Sequence, residues 1–217
     1  MSRLPLLLCL LLAWGCSRPS GSEPPQAPTT TAASAEDVPL PGKLKFKDGD
    51  GRERFSLKPK DDGAKLVDGD ERELARLKWK GASLKVSGPD DVALGYVLAS
   101  SGGALIVRDG EQRQVLYTLS IQGPGWRLTD AKGALLYTVS PDDEGARVLD
   151  AQGAEIARVK VREGKVSLRD AQGKTTLSTH ALVRADAAAC LAFESVSLPL
   201  RVALLQQLQQ PPAGPTP

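Results

Sequence analysis

Apolar and polar residues alternate with a period of two along most of this chain. Ala75, Leu77 and Trp79 face one way while Arg76, Lys78 and Lys80 face the other. Val115, Tyr117, Leu119 and Ile121 share a face, and Ala157, Val159 and Val161 oppose Arg158, Lys160 and Arg162. A period of two with one wet face predicts antiparallel strands packed on one side. Turn signals cut the alternation about every ten residues, in two interleaved series. One holds Asp48-Gly49-Asp50-Gly51, Asp68-Gly69, Pro89-Asp90-Asp91 and Asp109-Gly110, then Asp130-Ala131-Lys132-Gly133, Asp150-Ala151-Gln152-Gly153 and Asp170-Ala171-Gln172-Gly173. The other holds Asp61-Asp62-Gly63, Lys80-Gly81, Ser101-Gly102-Gly103, Gly123-Pro124-Gly125, Pro141-Asp142-Asp143-Glu144-Gly145 and Glu163-Gly164. Glycine supplies positive φ, and aspartate bonds its own backbone. Asp68, Asp109, Asp130, Asp150 and Asp170 are spaced by 41, 21, 20 and 20 residues. The prediction is a mainly β domain, an antiparallel meander of about 12–14 short strands in roughly 20-residue hairpin repeats. Such a meander must hide its edges, either by closing into a barrel or by stacking into an elongated repeat, and the C-terminal segment favours the barrel.

The segment 198–208 changes to helical spacing, with Ser197 as a candidate cap and Pro199 in the first turn. One apolar helix after a long meander is expected to plug or cover the sheet. Trp79, Tyr117 and Phe193 stand on apolar faces and are expected in the core. Repeated strand, Asp-x-x-Gly turn and strand, then the small-residue apolar stretch 187–193 and a terminal helix, resembles the tubby-like superfamily. That superfamily includes the LURP-one-related proteins and the phospholipid scramblases. The resemblance covers residues 43–208 and implies a closed antiparallel barrel around a hydrophobic C-terminal helix, with lipid or phosphoinositide contact. It assigns no ligand residue by motif. A weaker likeness is to the YD or RHS repeats, whose regular tyrosine is matched here only by Tyr96, Tyr117 and Tyr137.

The ends of the chain read differently. Residues 1–15 carry Arg3, a leucine-rich run over 6–12 and small residues before Gly15, the pattern of a secretory signal. The run is shorter than the roughly 20 apolar residues a membrane helix needs. Leu12-Ala13-Trp14-Gly15-Cys16 resembles the bacterial lipobox. That resemblance implies acylation of Cys16, which becomes the mature N-terminus; multiple acyl chains anchor a protein firmly. Ser17, rather than aspartate, leans towards outer-membrane sorting. Residues 16–42 then form the lipidated cysteine and a polar, proline-rich tether, 43–210 the β-hairpin-repeat domain, and 211–217 a disordered tail.

Composition removes several functions. Lys and Arg number 28 against 26 Asp and Glu, a balance too even for electrostatic capture of nucleic acid. Of three cysteines, Cys9 leaves with the signal and Cys16 is acylated, so Cys190 has no disulfide partner and reads as a small buried hydrophobe. His180 is the only histidine, which excludes a multi-histidine metal site. Asp48-Gly49-Asp50-Gly51 looks like the start of a calcium loop, but its twelfth position is Pro59 in place of a glutamate. No phosphate-cradling glycine loop and no zinc-spaced cysteine pair occurs. Lys43, Lys45 and Lys47 share one strand face, either solvated or placed against anionic lipid head groups.

Together these features point to a non-catalytic, lipid-anchored protein of the bacterial cell envelope, a binding or scaffolding module at the outer membrane. Its expected partner is the membrane, reached through Cys16, with a further protein or lipid partner left open. The alternative is a lipid- or phospholipid-binding tubby-like module. No cofactor and no metal is expected.

Overall fold

The computed structural model describes residues 42–210. The signal, Cys16, the tether up to residue 41 and the tail 211–217 lie outside the described residues. Fourteen strands form one closed antiparallel barrel in simple meander order, with the first paired to the last. They are β1 (Leu44–Lys47), β2 (Glu53–Lys60), β3 (Gly63–Asp68), β4 (Glu73–Lys80), β5 (Ser83–Ser87), β6 (Ala93–Ala99) and β7 (Leu105–Arg108). The second half holds β8 (Val115–Gln122), β9 (Gly125–Asp130), β10 (Leu135–Asp142), β11 (Gly145–Asp150), β12 (Glu155–Arg162), β13 (Lys165–Asp170) and β14 (Thr175–Thr179). The closing contact is the β1–β14 pair at Lys47 and Ser178. The expected barrel is the observed one, at the upper end of the expected strand count.

The two series of turns lie at opposite ends of the barrel. The aspartate series closes one rim, and six of its seven turns share one geometry. The N–H of Asp130 donates to the Ala134 carbonyl and that of Gly133 to the Asp130 carbonyl, and the same pair of bonds recurs at Asp48, Asp68, Gly88, Asp150 and Asp170; at Asp109 the turn is one residue longer and the N–H donates to the Gln114 carbonyl. The Asp130 carboxylate also accepts from the N–H groups of Lys132 and Ala134 at 2.8 Å each. Asp48, Asp68, Asp150 and Asp170 repeat that double acceptance. The aspartates recur, then, because each side chain satisfies backbone donors that a tight reversal leaves open. The third residue after each turn start is left-handed, from Gly51 at φ 83° to Gly173 at φ 81°. Three of the seven are not glycine: Glu71, Asp91 and Gln112, at φ 65°, 64° and 59°. A register shift accompanies every one of these turns, as in hairpins that end in a bulge.

An eight-stranded barrel is filled by its own side chains, whereas about fourteen strands leave a wide lumen. The C-terminal segment fills it. The stretch read as a small-residue apolar run forms a short helix α1 (Ala185–Ala188) that passes into a 3-10 turn (Ala189–Ala192). A bend follows, and α2 (Leu198–Gln209) returns through the barrel. The sequence pattern predicted α2 alone. The extra element is short and has no side-chain cap, so its stability comes from packing. Leu200, Val202, Ala203, Leu204, Leu205 and Leu208 of α2 are all buried, around its whole circumference. They meet the inward residues of the strands, among them Leu66, Leu77, Val97, Leu119 and Val148, in a single apolar core. Ser197 stands at the N-cap without a side-chain capping bond, and Pro199 occupies the first turn. Phe193 is fully buried, while Trp79 and Tyr117 are half-buried against the core.

Bonds at both ends hold the plug. The Tyr117 hydroxyl donates to the Ser195 carbonyl at 2.9 Å, and the Ser195 N–H donates to the Tyr137 hydroxyl at 3.2 Å. The Tyr137 ring stacks on Phe193 with centroids 5.0 Å apart. At the other end the Trp126 indole N–H donates to Asp186 at 3.1 Å, and Arg184 bonds both Asp186 and the Leu208 carbonyl. The outer wall is laced with ion pairs. Hydrogen bonds from Lys45, Lys65, Lys160 and Arg158 hold Glu53, Glu73, Glu144 and Glu155 respectively below the usual carboxylate range.

Three outcomes follow from this wall and plug. Gln112→Gly relieves a left-handed side chain without a partner among the described residues. It is expected to raise stability by about 0.5–1 kcal/mol in chemical denaturation, less the extra freedom glycine gives the unfolded chain. Leu204→Ala, at full burial, is expected to cost about 2–5 kcal/mol, read as a lowered melting temperature. The four glutamates contribute stability that is fully present above their ordinary value of 4.5 and is lost as pH falls through their depressed folded values. Melting temperature is therefore expected to drop below pH 4.5, and the combined Gln substitutions of these four are expected to flatten that drop.

Candidate functional site

The aspartate rim surrounds an open mouth. β1 runs towards this rim and α2 runs away from it, so both ends of the described chain lie on the other side. Between the rim and the plug is a cavity of about 900 Å³. Its wall is apolar, with Phe55, Ile156, Leu168, Leu177, Leu191 and Leu198. Four cations, Arg54, Arg169, Lys174 and Arg201, and six carboxylates, Asp48, Asp50, Asp150, Glu155, Asp170 and Glu194, complete it.

Most of those charges already have work. Asp48, Asp150 and Asp170 are engaged by their own turns. Glu155 accepts two bonds of 2.9 Å from Arg158 on the outer wall. Arg169 reaches the Gly173 carbonyl at 3.4 Å, while its Nε is buried without a partner among the described residues. Arg54, Lys174, Asp50 and Glu194 are exposed on the lip.

Arg201 is the cation of the four that the plug supplies. It sits in the first turns of α2, inside the barrel, and donates one terminal N–H to the Leu191 carbonyl at 2.5 Å. Its Nε is buried without a partner among the described residues. No carboxylate of the described residues lies within salt-bridge distance of it. Burial among apolar groups lowers its proton affinity, partly offset by the more distant Glu194. A half-buried cation without an ion pair is costly, and Arg201 shares with Arg169 the lack of a counter-charge within this cavity. Sequence reading missed it. Arg201 is one polar position in a run of leucines, and nothing local distinguishes it from a solvent-facing residue.

The residues singled out from sequence fall elsewhere. Lys43, Lys45 and Lys47 stand on the outer wall, with Leu44 and Phe46 turned inward. Lys43 pairs with Glu71 at 3.1 Å and Lys45 with Glu53 at 3.0 Å, so two of the three lysines are already neutralised. His180 is exposed just beyond β14, and Cys190 is buried, with its thiol pushed well above the usual value by desolvation. A thiol held in that form is not a nucleophile. Among the described residues no group of three or more His, Cys, Asp or Glu could hold a metal ion. Among them, too, no helix is long and apolar enough to cross a membrane. Cys16 lies outside the described residues.

No family model matches the chain, and no curated protein matches it either. Among solved structures, a crystal structure of a protein from Arabidopsis thaliana is similar with a TM-score of 0.44 and 12% identity. The match covers 78% of this chain and 93% of that one.

Proposed function

We propose that this chain is a lipid-anchored protein of the bacterial cell envelope, a non-catalytic binding or scaffolding module held at the outer membrane through Cys16. The observation that carries the reading is the Gly15-Cys16 pair at the end of a short leucine-rich run, followed by a polar, proline-rich tether. The domain beyond the tether fits that role. Its sheet has no free edge, and its lumen is filled by the helical plug. A rigid body of this kind presents a surface and a mouth and has no assembled set of nucleophile, base and orienting group among the described residues.

The tubby-like alternative is supported by a closed antiparallel barrel around a C-terminal helix. Lipid in the middle of the barrel has less support, because α2 occupies the lumen there. The anionic-lipid face at Lys43, Lys45 and Lys47 has less support as well, given the ion pairs to Glu53 and Glu71.

Expression in a Gram-negative host with radiolabelled palmitate tests the anchor. The full chain is expected to carry label and to sediment with membranes, and Cys16→Ser is expected to lose both. Label retained in Cys16→Ser, or a soluble unlabelled wild type, overturns the proposal.

A further inference from the structure

We infer that the mouth at the aspartate rim is a binding site for an amphipathic monocarboxylate, with the ligand carboxylate on Arg201 and its apolar body against the cavity wall. This names the ligand class for the binding-module reading and rests on it.

Two features of the cavity select the chemistry. The first is the guanidinium. Arg201 spends one terminal N–H on the Leu191 carbonyl, and its Nε is buried without a partner among the described residues. The remaining terminal nitrogen makes no hydrogen bond to any described residue. A carboxylate oxygen there would supply the missing counter-charge through a charge-assisted bond, in a setting drier than bulk water. The second is the wall. Phe55, Ile156, Leu168, Leu177 and Leu198 leave apolar surface around a volume of about 900 Å³, ample for a chain of about ten carbons.

The lip sets the charge. Six carboxylates against four cations line this cavity. Repulsion from that excess grows with each negative charge on the ligand, so a monoanion is accepted more readily than a dianion. A cationic head is refused at the base of the cavity by Arg201 itself. The preferred ligand thus carries one negative charge and an aliphatic body.

The test uses the full chain carrying Cys16→Ser, which removes the acylation site and leaves the cavity untouched. Binding of sodium decanoate below its micellar concentration is followed by calorimetry, beside decanol, decyl phosphate and decyltrimethylammonium. Decanoate is expected to bind most tightly of the four. Arg201→Met is expected to weaken decanoate at least tenfold and to leave decanol within about twofold. Arg201→Lys, which keeps the charge, is expected to recover part of the loss.

Should Arg201→Met fail to melt cooperatively, a diazirine-bearing decanoate on the unsubstituted cavity decides the matter. It is expected to label peptides that hold Leu168, Leu177 or Leu191, and labelling confined to other surfaces overturns the site. Equal affinity of decanoate and decanol, undiminished binding by a folded Arg201→Met, or no decanoate binding also overturns it. Palmitate labelling of Cys16 reads the anchor separately, so either conclusion can fail without the other.

Discussion

The need to fill the lumen of a fourteen-stranded barrel governs this structure. Closing the sheet satisfies every strand edge, but the same closure opens an interior too wide for side chains to cross. An empty apolar lumen would forfeit dispersion contacts along every inward face, and a wet one would expose them to water. The C-terminal helices resolve this by lying inside. That explains why the buried apolar residues of α2 are spread around the helix and not confined to one stripe. It also explains the alanines of 187–189, because two helical passes must share one lumen.

The plug fixes where a site can be. It touches β4, β5 and β6 through α2 and β10 to β13 through α1 and the 3-10 turn, so the middle of the barrel is solid. What remains is the space above the bend between the 3-10 turn and α2, under the aspartate rim. Arg201 lies there because the helix has to begin there. Its charge is tolerated because the side chain stays partly exposed and because the Leu191 carbonyl takes one of its donors. The pairing of a rigid wall with under-satisfied guanidinium groups is what turns a structural void into a candidate pocket.

The hairpin repeat was legible because its causes are local. Asp130, Lys132 and Gly133 lie within four residues, and the bonds that demand aspartate and glycine close inside that window. The bonds that seat the plug are of another kind. Tyr117 and Ser195 are 78 residues apart, and Trp126 and Asp186 are 60 apart. Nothing in the neighbourhood of Tyr117 announces Ser195, because proximity is created only when the sheet closes. The same holds for Lys43 and Lys45. Their alternation with Leu44 and Phe46 was readable, but Glu53 and Glu71 neutralise them only across hairpins.

By itself, then, the sequence determined a closed meander of short antiparallel strands, the role of its aspartates and glycines, and a C-terminal apolar helix. All three follow from periodicity and from turn chemistry within a few residues. Only the tertiary structure decided that the helix lies in the lumen, that a second helical element accompanies it, and that Arg201 ends up in the mouth without a counter-charge. Those outcomes depend on the diameter of the closed barrel and on which distant side chains that diameter brings together.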